Sequence, residues 1–137
     1  MLEKELKILI PKKLSDFPKI RRIGDPYHFY KWDLDQNQQN PILRYWFWND
    51  KKTRKFRKRV FINEFEDLLK LALDCNGLNR TDFERVCPNT KSDGGCGFAV
   101  IVGILEYLQV VELEKPGAYL LANKEIIKEL LGQKKEK

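Results

Sequence analysis

The chain has 137 residues, enough for one domain or two small ones, and its 42% hydrophobic content suffices for a core. Charged residues make up 34%, above the usual quarter, with a net charge of +6. The longest apolar stretch, Phe98 to Leu105, falls far short of the roughly 20 residues of a membrane helix, and Leu2 to Ile10 mixes Glu and Lys with its apolar residues, unlike a leader; the expectation is a soluble, cytoplasmic protein with no membrane partner.

In chain order, apolar residues at 2, 6, 9 and 10 predict a short helix before Pro11. Lys19 to Ile23 reads as a short strand, and Gly24-Asp25-Pro26 as a turn. The aromatic-rich run Tyr27 to Leu34 predicts a strand, Asp35 to Pro41 a polar loop, and Ile42 to Trp48 a second strand. Asn49 to Arg54 reads as a hairpin turn and Lys55 to Ile62 as the return strand, so residues 19–62 form an antiparallel meander of three or four strands. Period two puts Leu43, Tyr45 and Phe47 on one face of the middle strand and Arg44, Trp46 and Trp48 on the other.

The character changes at Asn63, which can cap a helix with Glu64, Glu66 and Asp67 in its first turn and a stripe of Phe65, Leu68, Leu69, Leu71 and Ala72. Asn76-Gly77 ends it. Asn79 or Thr81 caps a second short helix through Val86; Pro88 to Gly97 is a loop of turn formers; Phe98 to Leu108 is a third helix. Val110 to Leu113 and Ala118 to Leu121 flank the turn Lys115-Pro116-Gly117, and Asn123 or Lys124 opens a last helix through Leu131, before a frayed tail, 133–137. The fold class is therefore α+β: a sheet region, 1–62, packed with a helical region, 63–132, the two forming one compact domain if the packing is intimate.

The stretch Gly103-Ile104-Leu105-Glu106-Tyr107-Leu108, followed by Val110 to Leu113, Pro116-Gly117 and Tyr119-Leu120, resembles the third helix and wing of the winged helix-turn-helix superfamily, over roughly residues 61–131. The resemblance implies DNA binding through that helix and wing, or protein docking. This chain departs from the DNA-binding version. Ser92 to Glu114 contains no Lys or Arg, and the apolar residues of the third helix reach neither base edges nor phosphate. A helix apolar all round wants cover on all sides, against the sheet or against a second copy. The second reading is accordingly an adaptor that dimerises, or docks a protein partner, through Phe98, Ile101, Val102 and Leu105.

The strongest functional signal is how charge and aromatics are divided. Residues 1–63 carry 16 Lys/Arg against 7 Asp/Glu, a balance of +9, while residues 64–137 carry 10 against 13, a balance of −3. All three tryptophans lie in the basic half, and Lys51 to Arg59 puts seven cations into nine positions. A solvated hairpin edge kept from pairing by charge explains the run alone; aromatics among the cations point instead to a polyanion. The leading expectation is a non-enzymatic nucleic-acid-binding protein, DNA or RNA, of a transcription or replication assembly. Arg44, Lys51, Lys52, Arg54, Lys55, Arg57 and Arg59 would hold phosphate, and Trp46 and Trp48 would stack bases.

Other chemistry is weaker. Cys75, Cys87 and Cys96 match no ligand spacing and read as buried small hydrophobes, with no metal or cofactor expected and no disulfide framework from an odd number. Gly94-Gly95-Cys96-Gly97 precedes a helix, as an anion loop does, but lacks the phosphate-loop Lys-Ser/Thr. Asp33 or Asp35 with Asp50-Lys51-Lys52 loosely imitates a Mg²⁺-dependent nuclease, whose carboxylates must converge from adjacent strands.

Overall fold

The computed structural model describes residues 28–34, 39–48, 51–94 and 96–132, together with Lys4. The helix expected at Leu2 to Ile10 (Lys4 apart), the strand at Lys19 to Ile23, the turn at Gly24 to Pro26 and the tail lie outside the described residues. The fold is α+β. Strands β1 (His28–Leu34), β2 (Pro41–Trp48) and β3 (Lys55–Phe61) form an antiparallel sheet in the order β1-β2-β3, with a register shift in β1 between Phe29 and Lys31. Then follow α1 (Ile62–Cys75), β4 (Gly77–Asn79), α2 (Arg80–Val86), α3 (Pro88–Ser92), α4 (Cys96–Tyr107), β5 (Val111–Lys115), β6 (Ala118–Leu121) and α5 (Lys124–Leu130). The three short strands make a second antiparallel sheet, ordered β4-β6-β5.

Alternation along β2 sends Leu43, Tyr45 and Phe47 inward, where they join Val60, the α1 stripe and α4 in one hydrophobic core. β3 passes into α1 without a linker, because Phe61 ends the strand and is also the residue before the first helical turn. One core therefore spans both sides of residue 62.

Helix boundaries follow local chemistry. Asn76 takes the left-handed conformation (φ 59°) and closes α1 through its N–H to the Ala72 carbonyl. Asn79 Oδ1 accepts from the Asp82 N–H to start α2, and Asn123 Oδ1 accepts from Glu125 and Ile126 to start α5. Three sequence expectations need correction. Asn63 does not cap α1, which begins one residue earlier; its amide donates to Asn40 Oδ1 at 2.6 Å. Pro88 to Gly97 is not all loop, because Pro88 opens α3, a position where a missing N–H costs nothing. The third helix starts at Cys96 rather than Phe98.

That helix, α4, is covered within its own chain. Phe98, Val100, Ile101, Val102, Ile104 and Leu105 are all buried. Gly97 makes the close fit possible: a Cβ there would lie 2.7 Å from Thr90 Cγ2 and 3.2 Å from Phe83 Cζ. No helix among the described residues is long and apolar enough to cross a membrane.

Candidate nucleic-acid interface

The two strands that carry the basic run pair in one unbroken register, with Leu43 opposite Val60, Arg44 opposite Arg59, Trp46 opposite Arg57 and Trp48 opposite Lys55. Because side chains alternate, Arg44, Trp46, Trp48, Lys55, Arg57 and Arg59 come together on the face turned away from the core. The two indoles are half-buried and meet edge to face, ring centroids 5.7 Å apart at 89°. The Lys55 ammonium sits 4.5 Å from the Trp46 ring centroid and 5.1 Å from that of Trp48. Arg57 is exposed beside them, and Lys51, Lys52 and Arg54 are exposed at the hairpin tip.

Among the nine expected phosphate or base contacts, Arg44 and Arg59 are paired with carboxylates. Arg44 Nε donates to Asp33 Oδ2 at 2.9 Å. Arg59 is held more firmly: Nε and Nη2 grip the Asp93 carboxylate in a bidentate pair at 2.8 Å each, and the Arg59 backbone N–H donates to Asp93 Oδ2 at 3.0 Å. Those hydrogen bonds raise the Arg59 pKa against the opposing pull of burial. Burial alone would raise the Asp93 carboxyl, but the Arg59 hydrogen bonds and charge, with that of Lys58, outweigh it and hold Asp93 below its ordinary value. The face is thus graded, with cations at the tip, indoles in the middle and charge-neutralised arginines at the base.

Reasoning from sequence missed the groups that hold this face against the helical unit. β3 is an edge strand, and two of its outward N–H groups are taken by side chains, Arg59 by Asp93 and Phe61 by Thr90 Oγ1 at 3.1 Å. Thr90 is in turn fixed by Glu64. This carboxylate accepts from the Asn89 and Thr90 N–H groups, from Asn89 Nδ2 and from Thr90 Oγ1, at 2.7–3.0 Å, and so caps α3 from another helix. Only its burial signals the role, and Glu64 in a helical first turn gives no sign of it.

The other candidates fare differently. Phe98, Ile101, Val102 and Leu105, expected as a partner surface, are at most 2% exposed, because α2, α3, the first sheet and the β5–β6 hairpin enclose α4 within the monomer. Cys75 is exposed, Cys87 buried and Cys96 half-buried, with Tyr45 Oη 3.2 Å from Cys96 Sγ; the expectation of three buried cysteines holds for one. Burial, reinforced by the charges of Glu64 and Asp67, pushes the Cys87 thiol up to about 12. Among the described residues no three His, Cys, Asp or Glu side chains gather as a metal site requires. Asp33 stands at the Ile42 end of β2, about 20 Å along the strand from Trp48 at some 3.3 Å per residue, and it is paired to Arg44; Asp35 and Asp50 lie outside the described residues. No family model matches the chain, and comparison with curated proteins and with solved structures likewise finds no match.

Proposed function

We propose that this chain is a nucleic-acid-binding protein, acting without catalysis, whose contact surface is the outward face and tip of the β2–β3 hairpin. The observation that carries the reading is the strand register: it aligns Trp46 with Arg57 and Trp48 with Lys55 on a face turned from the core, next to the exposed cations Lys51, Lys52 and Arg54. Cations would neutralise phosphate and the half-buried indoles would meet bases. Arg44 and Arg59, already bound to carboxylates, contribute least. The order helix, short helix, longer helix and hairpin in α1, α2, α4 and β5–β6 supports a winged-helix-like reading of the second half. With α4 enclosed, that unit serves as a scaffold for the basic hairpin rather than as the reader of DNA. A cytoplasmic regulator of transcription or replication fits this surface, whereas Phe98, Ile101, Val102 and Leu105, the residues expected to carry a homodimer, are buried within the monomer.

The test is filter binding of DNA and RNA across a salt series, alongside size-exclusion elution. The expected result is retention that falls linearly in log salt, with Lys51→Ala and Arg57→Ala each reducing the slope by about one. A stable dimer that retains neither DNA nor RNA would overturn the reading in favour of an adaptor.

A further inference from the structure

The Trp46–Trp48 pair is already occupied. Its two rings stand at right angles, like two walls of a cage, and the Lys55 ammonium of the same hairpin sits over both, at 4.5 and 5.1 Å. A cation over an indole face is attracted by the ring quadrupole, yet that face is also what a base would stack on. We propose that the hairpin takes a single-stranded nucleic acid, one of whose bases displaces Lys55 from the indoles, and that the freed ammonium moves to the phosphate of the same strand. The inference rests on the nucleic-acid reading above and goes further by naming the ligand class and the residue that changes partner.

Three observations lead there. In a duplex the base faces are stacked on one another, so indoles on a sheet offer it nothing, whereas every unpaired base has a free π-face. The indoles lie between the tip cations and the row of Arg44 and Arg59, whose charge Asp33 and Asp93 cancel. A backbone held by the tip therefore passes Trp46 and Trp48 on its way along the hairpin, before it reaches those two neutralised arginines. Lys55 stands directly opposite Trp48 in the register, one residue from Arg54 and two from Arg57. It needs only a side-chain rotation, on an exposed residue, to reach a phosphate that those cations already attract.

The test measures affinity for a short oligothymidylate, a short oligouridylate and a duplex of equal length, with tryptophan emission as a second readout. The expected result is tighter binding of both single strands than of the duplex, with quenching only by the single strands. Trp46→Ala and Trp48→Ala should each lose roughly 10- to 100-fold for single strands and little for the duplex. Lys55→Ala supplies the distinctive signature. Its salt slope falls by about 0.7, but at high salt, where phosphate contacts fade, it binds the single strand more tightly than the unsubstituted protein, because a base no longer has to displace the Lys55 ammonium. Arg57→Ala is weaker at low salt and converges on the unsubstituted protein at high salt. Preference for only one of the two oligonucleotides reflects the sugar or the thymine methyl and leaves the proposal standing. Equal binding of duplex and single strand without quenching overturns the single-strand inference while the nucleic-acid reading survives. A Lys55→Ala protein that at no salt binds the single strand more tightly than the unsubstituted protein, converging on it as Arg57→Ala does, overturns the displacement. Failure of all three probes sinks the reading beneath it.

Discussion

Helix α4 and the outward face of the β2–β3 hairpin both carry large apolar or aromatic side chains, and the fold treats them in opposite ways. In α4 the apolar residues run round the whole helix, so no orientation could leave them in water; α2, α3, the first sheet and the β5–β6 hairpin enclose them. In β2 the side chains alternate, so Leu43, Tyr45 and Phe47 satisfy the core while Trp46 and Trp48 are carried to the other side with the cations. Hydrophobicity alone does not distinguish a core element from a contact surface. Periodicity does, because it decides whether burying one residue forces its neighbour into solvent.

Substitutions can break this contrast in either direction. The largest effect is expected at Ile101, fully buried in α4: Ile101→Ala should cost about 2–5 kcal/mol in denaturant unfolding and leave retention of nucleic acid, measured where the protein is folded, unchanged. Glu64→Ala should cost about 3 kcal/mol, because four donors at the start of α3, the two of Thr90 buried and the two of Asn89 partly so, lose their acceptor. Asp93→Asn should cost about 1 kcal/mol after solvent screening of a partly exposed pair, and it sharpens the contrast through pH. The folded-state pKa of Asp93 lies below the unfolded one, so its contribution is present above the ordinary carboxylate range near 4 and lost as pH falls through the folded value; the Asn variant should lack that part of the acid limb of the unfolding curve. Trp48→Ala reverses the pattern of Ile101→Ala, with a stability change of about 1 kcal/mol or less and a clear loss of single-strand binding. The smallest effect is chemical. Alkylation at mildly alkaline pH should mark exposed Cys75 promptly and spare Cys87, whose raised thiol pKa also predicts stability declining as pH climbs from 9.0 towards about 12.

Much of this architecture is legible in the chain itself. The alternation from Leu43 to Trp48 sorts the middle strand correctly, though Ile42, on the face of Trp46 and Trp48 by the same period, is fully buried; the asparagine signals at Asn76, Asn79 and Asn123 end or begin helices as short polar side chains do. What escaped the sequence is non-local. β4 is only three residues long and exists because β6 lies beside it; a Cβ on Gly77 would come within 2.6 Å of the Tyr119 carbonyl oxygen. The helix at Pro88 to Ser92 is made of turn-forming residues and is held by a carboxylate 24 positions away in sequence from its first residue. At the candidate site, the shared face of Arg44, Trp46, Trp48, Arg57 and Arg59 follows from period two once the register is known. The cancellation of Arg59 by Asp93 bridges 34 positions, and no local pattern announces it.

The Glu64 carboxylate has a further consequence. It ties α1 to α3, and Thr90 passes the tie on to the edge of β3, so the continuous β3–α1 junction and the distant α3 share one fastening. The amide protons of Phe61, Asn89 and Thr90 should then exchange with deuterium at a common rate, that of whole-molecule opening, as members of a single cooperative unit. The basic hairpin cannot fray independently at its base, and the mobility a ligand exploits is confined to its tip.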